Sequence, residues 1–293
     1  MKKLIILGSG FTRAFSSESP TINNILDSIT DTDLLTKISL LKEIGIIDPE
    51  TIVSQLLDSL YEFDQKSILE SNKLKYNLIN AISRSFSELK ADDESSFTKM
   101  CEKYLMSSID QEIIIASFNY DLLIEKYAQS VNYIIPIVFN PYTYKEYNGV
   151  QFGSYTRKYR LLKLHGSINW FVNKYDKNDL NNTFYIDYKA ESINKFLSDN
   201  NPVIVPFTYN KAYFMNGDLF TIIWRQMNIL LHDVDEIEII GYGFPKTDYQ
   251  VYRMLYNYKE KIKRIIIKED ADNRLVKVFG SRVIIDDAKN ILT

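Results

Sequence analysis

The chain is short of the residues that hold metals and disulfides, with one cysteine, Cys101, and two histidines, His165 and His232, among 293 residues. A single cysteine closes no internal bridge, and so few Cys and His residues supply no structural zinc site. The expectation is a reducing environment and a chemistry without metal. A basic excess is missing too. With a net charge of -3 and a pI near 5.6, no global field draws the chain to phosphate backbones, and direct nucleic-acid binding is not expected. Long apolar runs are also lacking. The opening "MKKLIILGSGF" has a shorter apolar core than the roughly 7 to 15 residues of a signal peptide, and nothing later reaches membrane length. A cytoplasmic protein without a membrane partner is expected. Internal repeats and low-complexity tracts do not occur. What is present is 45% apolar and 25% charged, the balance of an ordinary globular protein.

The run "KKLIILGSG" has no polar alternation in "LIIL", so it reads as a fully buried strand feeding a glycine turn at Gly8 and Gly10. Ser19 with Pro20, and Asp48 with Pro49, are N-cap and first-turn pairs that open helices. Leu74, Leu78, Ile82, Phe86 and Leu89 recur at three- and four-residue spacing, which makes 21–109 a helical insertion. Short β-branched runs then return in "QEIIIASFNYD", "LLKLHGS", "PVIVPF", "DEIEIIGYGFP" and "IKRIIIKED", with helical patterns over 214–231 and 248–261. The predicted fold class is α/β. A Rossmann-like, doubly wound, mainly parallel sheet is built from 1–20 plus 110–293, with the helical insertion after the first strand. A smaller hairpin and loop region covers 139–160 and 171–200, with a strand at "TFYIDY".

Open α/β sheets bind ligands at the carboxyl ends of their strands. Those ends carry Gly8-Ser9-Gly10, Ser117-Phe118-Asn119-Tyr120-Asp121, His165-Gly166-Ser167 and Gly241-Tyr242-Gly243. Each group has a plain structural alternative. Arg13 stands where the dinucleotide fingerprint has its third glycine. Asn119 and Asp121 equally serve as caps for a helix starting near Leu122. His165 reads either as a base at the mouth of a site or as a capped core residue, and His232 fits a helix C-terminus.

In order and spacing, "LGSGFTRAF", "SFNYD", "KLHGSINW" and "IIGYGFPKTD" resemble the sirtuin-like NAD-binding domain. Within that family they are most similar to the bacterial branch of antiphage-defence NADases, a likeness that "PVIVPFTYNK" extends. The resemblance covers roughly 1–20 and 110–270. It implies NAD as substrate, with Gly8, Ser9, Gly10 and Phe11 as the turn at the pyrophosphate and nicotinamide ribose. It further implies Asn119 and Asp121 at the nicotinamide pocket, His165 as general base, and Gly241, Tyr242 and Gly243 beside the adenine ribose. Gly243 replaces a serine of the family's loop, and Ser117 replaces a threonine. The four-cysteine zinc module of the protein deacylases is missing. In the related defence systems the partner is a further copy of the chain, a hexameric ATPase or an Argonaute-type protein, so activation by a homo-oligomer or such a partner is implied here.

Breaking the nicotinamide–ribose bond passes through an oxocarbenium-like state, which needs a pocket for the leaving group and a base for water or a ribose hydroxyl. A histidine with an ordinary pKa near 6.5 suits that base, and the Asn119 amide suits orientation of water or ribose. The expected activity is therefore that of an NAD glycohydrolase releasing nicotinamide and ADP-ribose or a cyclic form, in antiphage defence. The alternatives are an NAD-dependent deacylase without a zinc module and a non-catalytic module that senses NAD or ADP-ribose.

Overall fold

The computed structural model describes residues 1–57, 65–108, 110–130, 144–146, 160–172, 184–186, 201–215, 218–270 and 273–293. Its strands, in chain order, are β1 Lys2–Leu7, β2 Glu112–Ser117, β3 Tyr144–Glu146, β4 Arg160–Lys163, β5 Gly166–Val172, β6 Phe184–Ile186, β7 Asn201–Ile204, β8 Glu236–Ile240, β9 Ile262–Ile267 and β10 Val283–Ile285. Most of the hairpin and loop region predicted over 139–160 and 171–200 lies outside the described residues.

The main sheet has the order β10-β9-β8-β1-β2-β4, and its strand pairs are all parallel. This is the doubly wound, Rossmann-like α/β architecture. The absence of alternation in "LIIL" has a direct cause, because β1 is buried on both faces. Leu4 and Ile6 pack with Ile223, Met227 and Leu231 of the helix Asp218–Asp233, while Ile5 and Leu7 pack with Phe97, Met100 and Leu123 on the opposite face. From β1 the chain winds through β2 to β4 on one side, and from β8 through β9 to β10 on the other. The crevice between the carboxyl ends of β1 and β8 is therefore the switch point where such sheets bind ligands.

Two strands depart from the sequence pattern. Gly166 has φ +77°, and a Cβ there would stand 2.1 Å from the Val203 carbonyl oxygen. The chain thus turns out of the parallel sheet after β4. β5 begins a second sheet of order β3-β6-β5-β7, and the "PVIV" run, as β7, pairs antiparallel with β5 instead of joining the parallel sheet. A short buried β-branched run reads the same in either setting. The edge strand β10 carries too little apolar pattern to stand out.

Among the described residues, the elements between β1 and β2 are all helices. Helices Ile22–Ile25, Thr32–Glu43, Pro49–Leu57 and Gln65–Ser87 contribute Ile25, Leu34, Ile52, Leu78 and Ile82 to a core shared with Tyr120, Ile168, Ile204 and Phe207. Helix Glu94–Tyr104 packs instead beneath the sheet through Phe97, Met100 and Cys101. The Asp48 carboxylate accepts the Thr51 N–H at 2.8 Å as expected of a cap. The helix Ile22–Ile25 starts later than Ser19 and Pro20 predict, because Thr21 and Asn24 form a reciprocal capping box.

Candidate active site

The turns after β1 and β8 are stitched together by backbone. Gly8 N–H donates to the Ile240 carbonyl at 3.0 Å, and Gly10 N–H to the Gly241 carbonyl at 2.8 Å. A Cβ on Gly8 would stand 2.5 Å from Tyr242 Cα, and one on Gly241, whose φ is +68°, would stand 2.0 Å from the Phe11 nitrogen. Side chains are therefore excluded by contact between two turns, and not only by approach to a phosphate as the sequence pattern reads. Phe11 points away from the crevice into the core, 1% exposed, against Phe15 and Phe97.

The end of β2 is a closed hydrogen-bond chain. The Asn119 amide donates to the Gly8 carbonyl and to Thr12 Oγ1, each at 2.9 Å. Thr12 Oγ1 donates in turn to Asp121 Oδ2 at 2.6 Å. Asp121 Oδ1 accepts the Leu123 N–H at 3.1 Å, at the start of helix Leu123–Ser130. Beneath it, buried Lys163 donates to the Asp121 carbonyl and pairs with Glu125 at 3.2 Å. Burial nevertheless pushes the Glu125 carboxyl up, with Lys163 opposing the shift.

The end of β4 differs. His165 is 5% exposed, and its backbone is held by Val205 N–H donating to its carbonyl at 2.8 Å. Its ring meets Phe118 edge-on at 5.0 Å, and Phe118 stacks on Tyr242 at 4.2 Å. Nε2 is buried without a hydrogen-bond partner. The nearest carboxylate is Asp248, 3.9 Å away, which accepts the Tyr242 hydroxyl at 2.7 Å and is paired with Lys211. Burial and the Lys211 ammonium, against the opposing pull of Asp248, lower the His165 pKa to about 3. This corrects the ordinary value near 6.5 expected from sequence: the imidazole is firmly neutral, because it is desolvated and faces a cation.

These groups surround a cleft of about 400 Å³, within the roughly 300–1,000 Å³ typical of small-molecule sites. Ser9, Asn119, Asp121, His165, Tyr242 and Gly243 line it, whereas Gly8, Gly10, Phe11 and Gly241 stand behind its wall. The opposite wall comes from the helical segment, through Ile22, Ile25, Glu50 and Phe86. Burial raises the Glu50 pKa, with Lys211 opposing. A second cleft, of about 740 Å³, shares His165, Lys211, Thr247 and Asp248 with the first and is walled by Phe220, Trp224 and Tyr249. Among the described residues, no group of three His, Cys, Asp or Glu side chains is arranged to hold a metal, and no helix is long and apolar enough to cross a membrane.

Sequence reasoning missed Thr12, Lys163, Lys211, Asp248 and Glu50. Two of them close motifs that the sequence displays: Lys211 ends "PVIVPFTYNK" and Asp248 ends "IIGYGFPKTD". Lys163, charged within an apolar strand, was the other visible signal.

The fold and crevice define a Rossmann-like α/β protein with its candidate site at the switch point. No protein-family model and no curated protein matches the chain. Among solved structures, its fold is that of Sir2 proteins. A Sir2 homologue in complex with NAD aligns with TM-score 0.52 and 12% identity, over 99% of this chain and 86% of that one. A mutant Sir2 homologue in complex with ADP-ribose aligns with TM-score 0.51 and 12% identity, over 99% of this chain and 88% of that one. At such identity the likeness establishes the shared fold.

Proposed function

We propose that the chain binds NAD in the switch-point cleft and hydrolyses its nicotinamide–ribose bond, with His165 as general base. The observation that carries this reading is the buried, unpartnered Nε2 of a neutral histidine on the wall of the cleft. A buried polar atom without a partner is costly unless a ligand meets it. A ribose hydroxyl or an attacking water would donate to that lone pair and pass its proton there. Arg13 and Ser9, both on the cleft, would hold the phosphates. Asn119 serves through its carbonyl oxygen, since its amide hydrogens are already bonded to Gly8 and Thr12. Asp121 acts as the cap and anchor of this wall. A base so strongly depressed is weak at rest, so on this reading turnover awaits an activating partner or oligomer, and a role in antiphage defence rests on the sequence resemblance alone.

The second cleft supports one further reading. It reaches the same imidazole, and would give an acylated peptide, the acyl donor of an NAD-dependent deacylase, a path to the anomeric carbon. Incubation of the purified chain with NAD, with and without an acetylated peptide, separates the two. Nicotinamide and ADP-ribose formed without peptide support the hydrolase. Release that requires peptide and yields O-acetyl-ADP-ribose supports the deacylase. Tight NAD binding without any release, under every activating condition, means a sensing module.

A further inference from the structure

Three separate elements converge on His165: the end of β4, the residue that opens helix Lys211–Met215, and the turn after β8 that ends in Asp248. The Asp248 side chain is 3% exposed and that of Lys211 is 11% exposed, so this is not a solvated surface pair. Tyr242 fixes one carboxylate oxygen and Lys211 the other. The oxygen shared with Lys211 is the one 3.9 Å from His165 Nε2. All three charged or titratable groups line both clefts and so form the partition between them. Asp248 and Lys211 are the charged groups at the imidazole, with Glu50 beyond Lys211 on the helical wall. The rings of Phe118 and Trp224 complete the surround.

We propose that Asp248 is the positioning residue of His165: its clamped carboxylate stabilises the imidazolium formed when Nε2 takes a proton, and Lys211 on the same oxygen restrains it. This rests on His165 being the base of the proposed reaction. The proton moves from a substrate hydroxyl or water to Nε2, and the positive charge that appears there lies within coulombic reach of Oδ1.

The test uses Asp248→Asn, Lys211→Met and the double variant, each checked for folding by circular dichroism. With only two histidines in the chain, the His165 imidazole signals are assigned in NMR spectra by their loss in His165→Ala. In Lys211→Met the imidazole should titrate at higher pH than in wild type, and adding Asp248→Asn should lower it again by about one unit or more, as removal of an opposite charge at this range does. Coincident titrations of the single and double variants would overturn the proposal. Under conditions where wild type releases nicotinamide, Asp248→Asn should lower kcat by about tenfold or more with little change in KM, the pattern of an interaction made only in the transition state. An unchanged kcat would overturn it as well. A wild type that never turns over NAD sinks the functional reading, while the titrations still decide whether Asp248 acts on His165.

Discussion

The ends of β2 and β4 are neighbours in one sheet and treat their polar groups in opposite ways. At β2, the Asn119 amide hydrogens, the Thr12 hydroxyl and both Asp121 oxygens are bonded to one another or to backbone. At β4, the one ring nitrogen that faces Asp248 has no hydrogen bond. Both ends line the same cleft, so position at a strand end does not itself assign a chemical role. A closed network makes a rigid wall, and on the proposed reading the open imidazole nitrogen beside it is the atom left for the substrate.

The largest effect expected from this contrast is on acid stability. Unfolded, His165 titrates near its ordinary 6.5; folded, it titrates at about 3. A depressed folded pKa gives stability that is whole above the unfolded value and lost as pH falls through this window, by about tenfold in the folding constant per pH unit. Urea unfolding at a series of pH values should show this slope in wild type and its absence in His165→Ala. An equal slope in both would show that the imidazole is not held neutral.

Next comes the seam beneath both ends. Gly241→Ala introduces a Cβ 2.0 Å from the Phe11 nitrogen at a φ of +68°, and should cost on the order of 3 kcal/mol or more, through strain and overpacking together. A melt unchanged from wild type would contradict the stitched geometry of the two turns. Asn119→Ala should cost about 1–3 kcal/mol in urea unfolding, because the buried Gly8 carbonyl and Thr12 hydroxyl lose their donor; a neutral result would remove the contrast between the two strand ends. The smallest effect belongs to the helical wall. The Glu50 pKa is raised by burial, so its charged form is disfavoured in the folded state. Stability from this residue is present below the ordinary carboxylate range and lost as pH rises through the raised value. Glu50→Gln should therefore match wild type in acid and be slightly more stable at neutral pH, as read by thermal melts at both.

Much of this was legible in the sequence, for identifiable reasons. Short apolar runs mark buried strands, which is why β1, β2, β4, β8 and β9 stood out and why the carboxyl ends of β1, β2, β4 and β8 pointed to Ser9, Asn119, Asp121, His165, Tyr242 and Gly243, which line the cleft. Leu74, Leu78 and Ile82 announced the helix Gln65–Ser87 by spacing alone. What escaped depends on three-dimensional contact. No local pattern shows that Gly166 turns the chain into a second sheet, that Phe11 turns inward, or that Lys211 and Asp248, 37 residues apart, meet at one imidazole. Burial also changed the chemistry of a correctly located residue, because a pKa is a property of surroundings that a sequence does not display.

The central claim is that His165 is the working base and not a strand cap. It is tested by measuring nicotinamide release and NAD affinity for wild type and His165→Ala, in the same activating conditions. Loss of a general base should reduce turnover by about 10²- to 10⁴-fold, while affinity, carried on this reading by Ser9 and Arg13, stays close to wild type. Equal turnover in the two proteins would contradict the account and make His165 a structural residue.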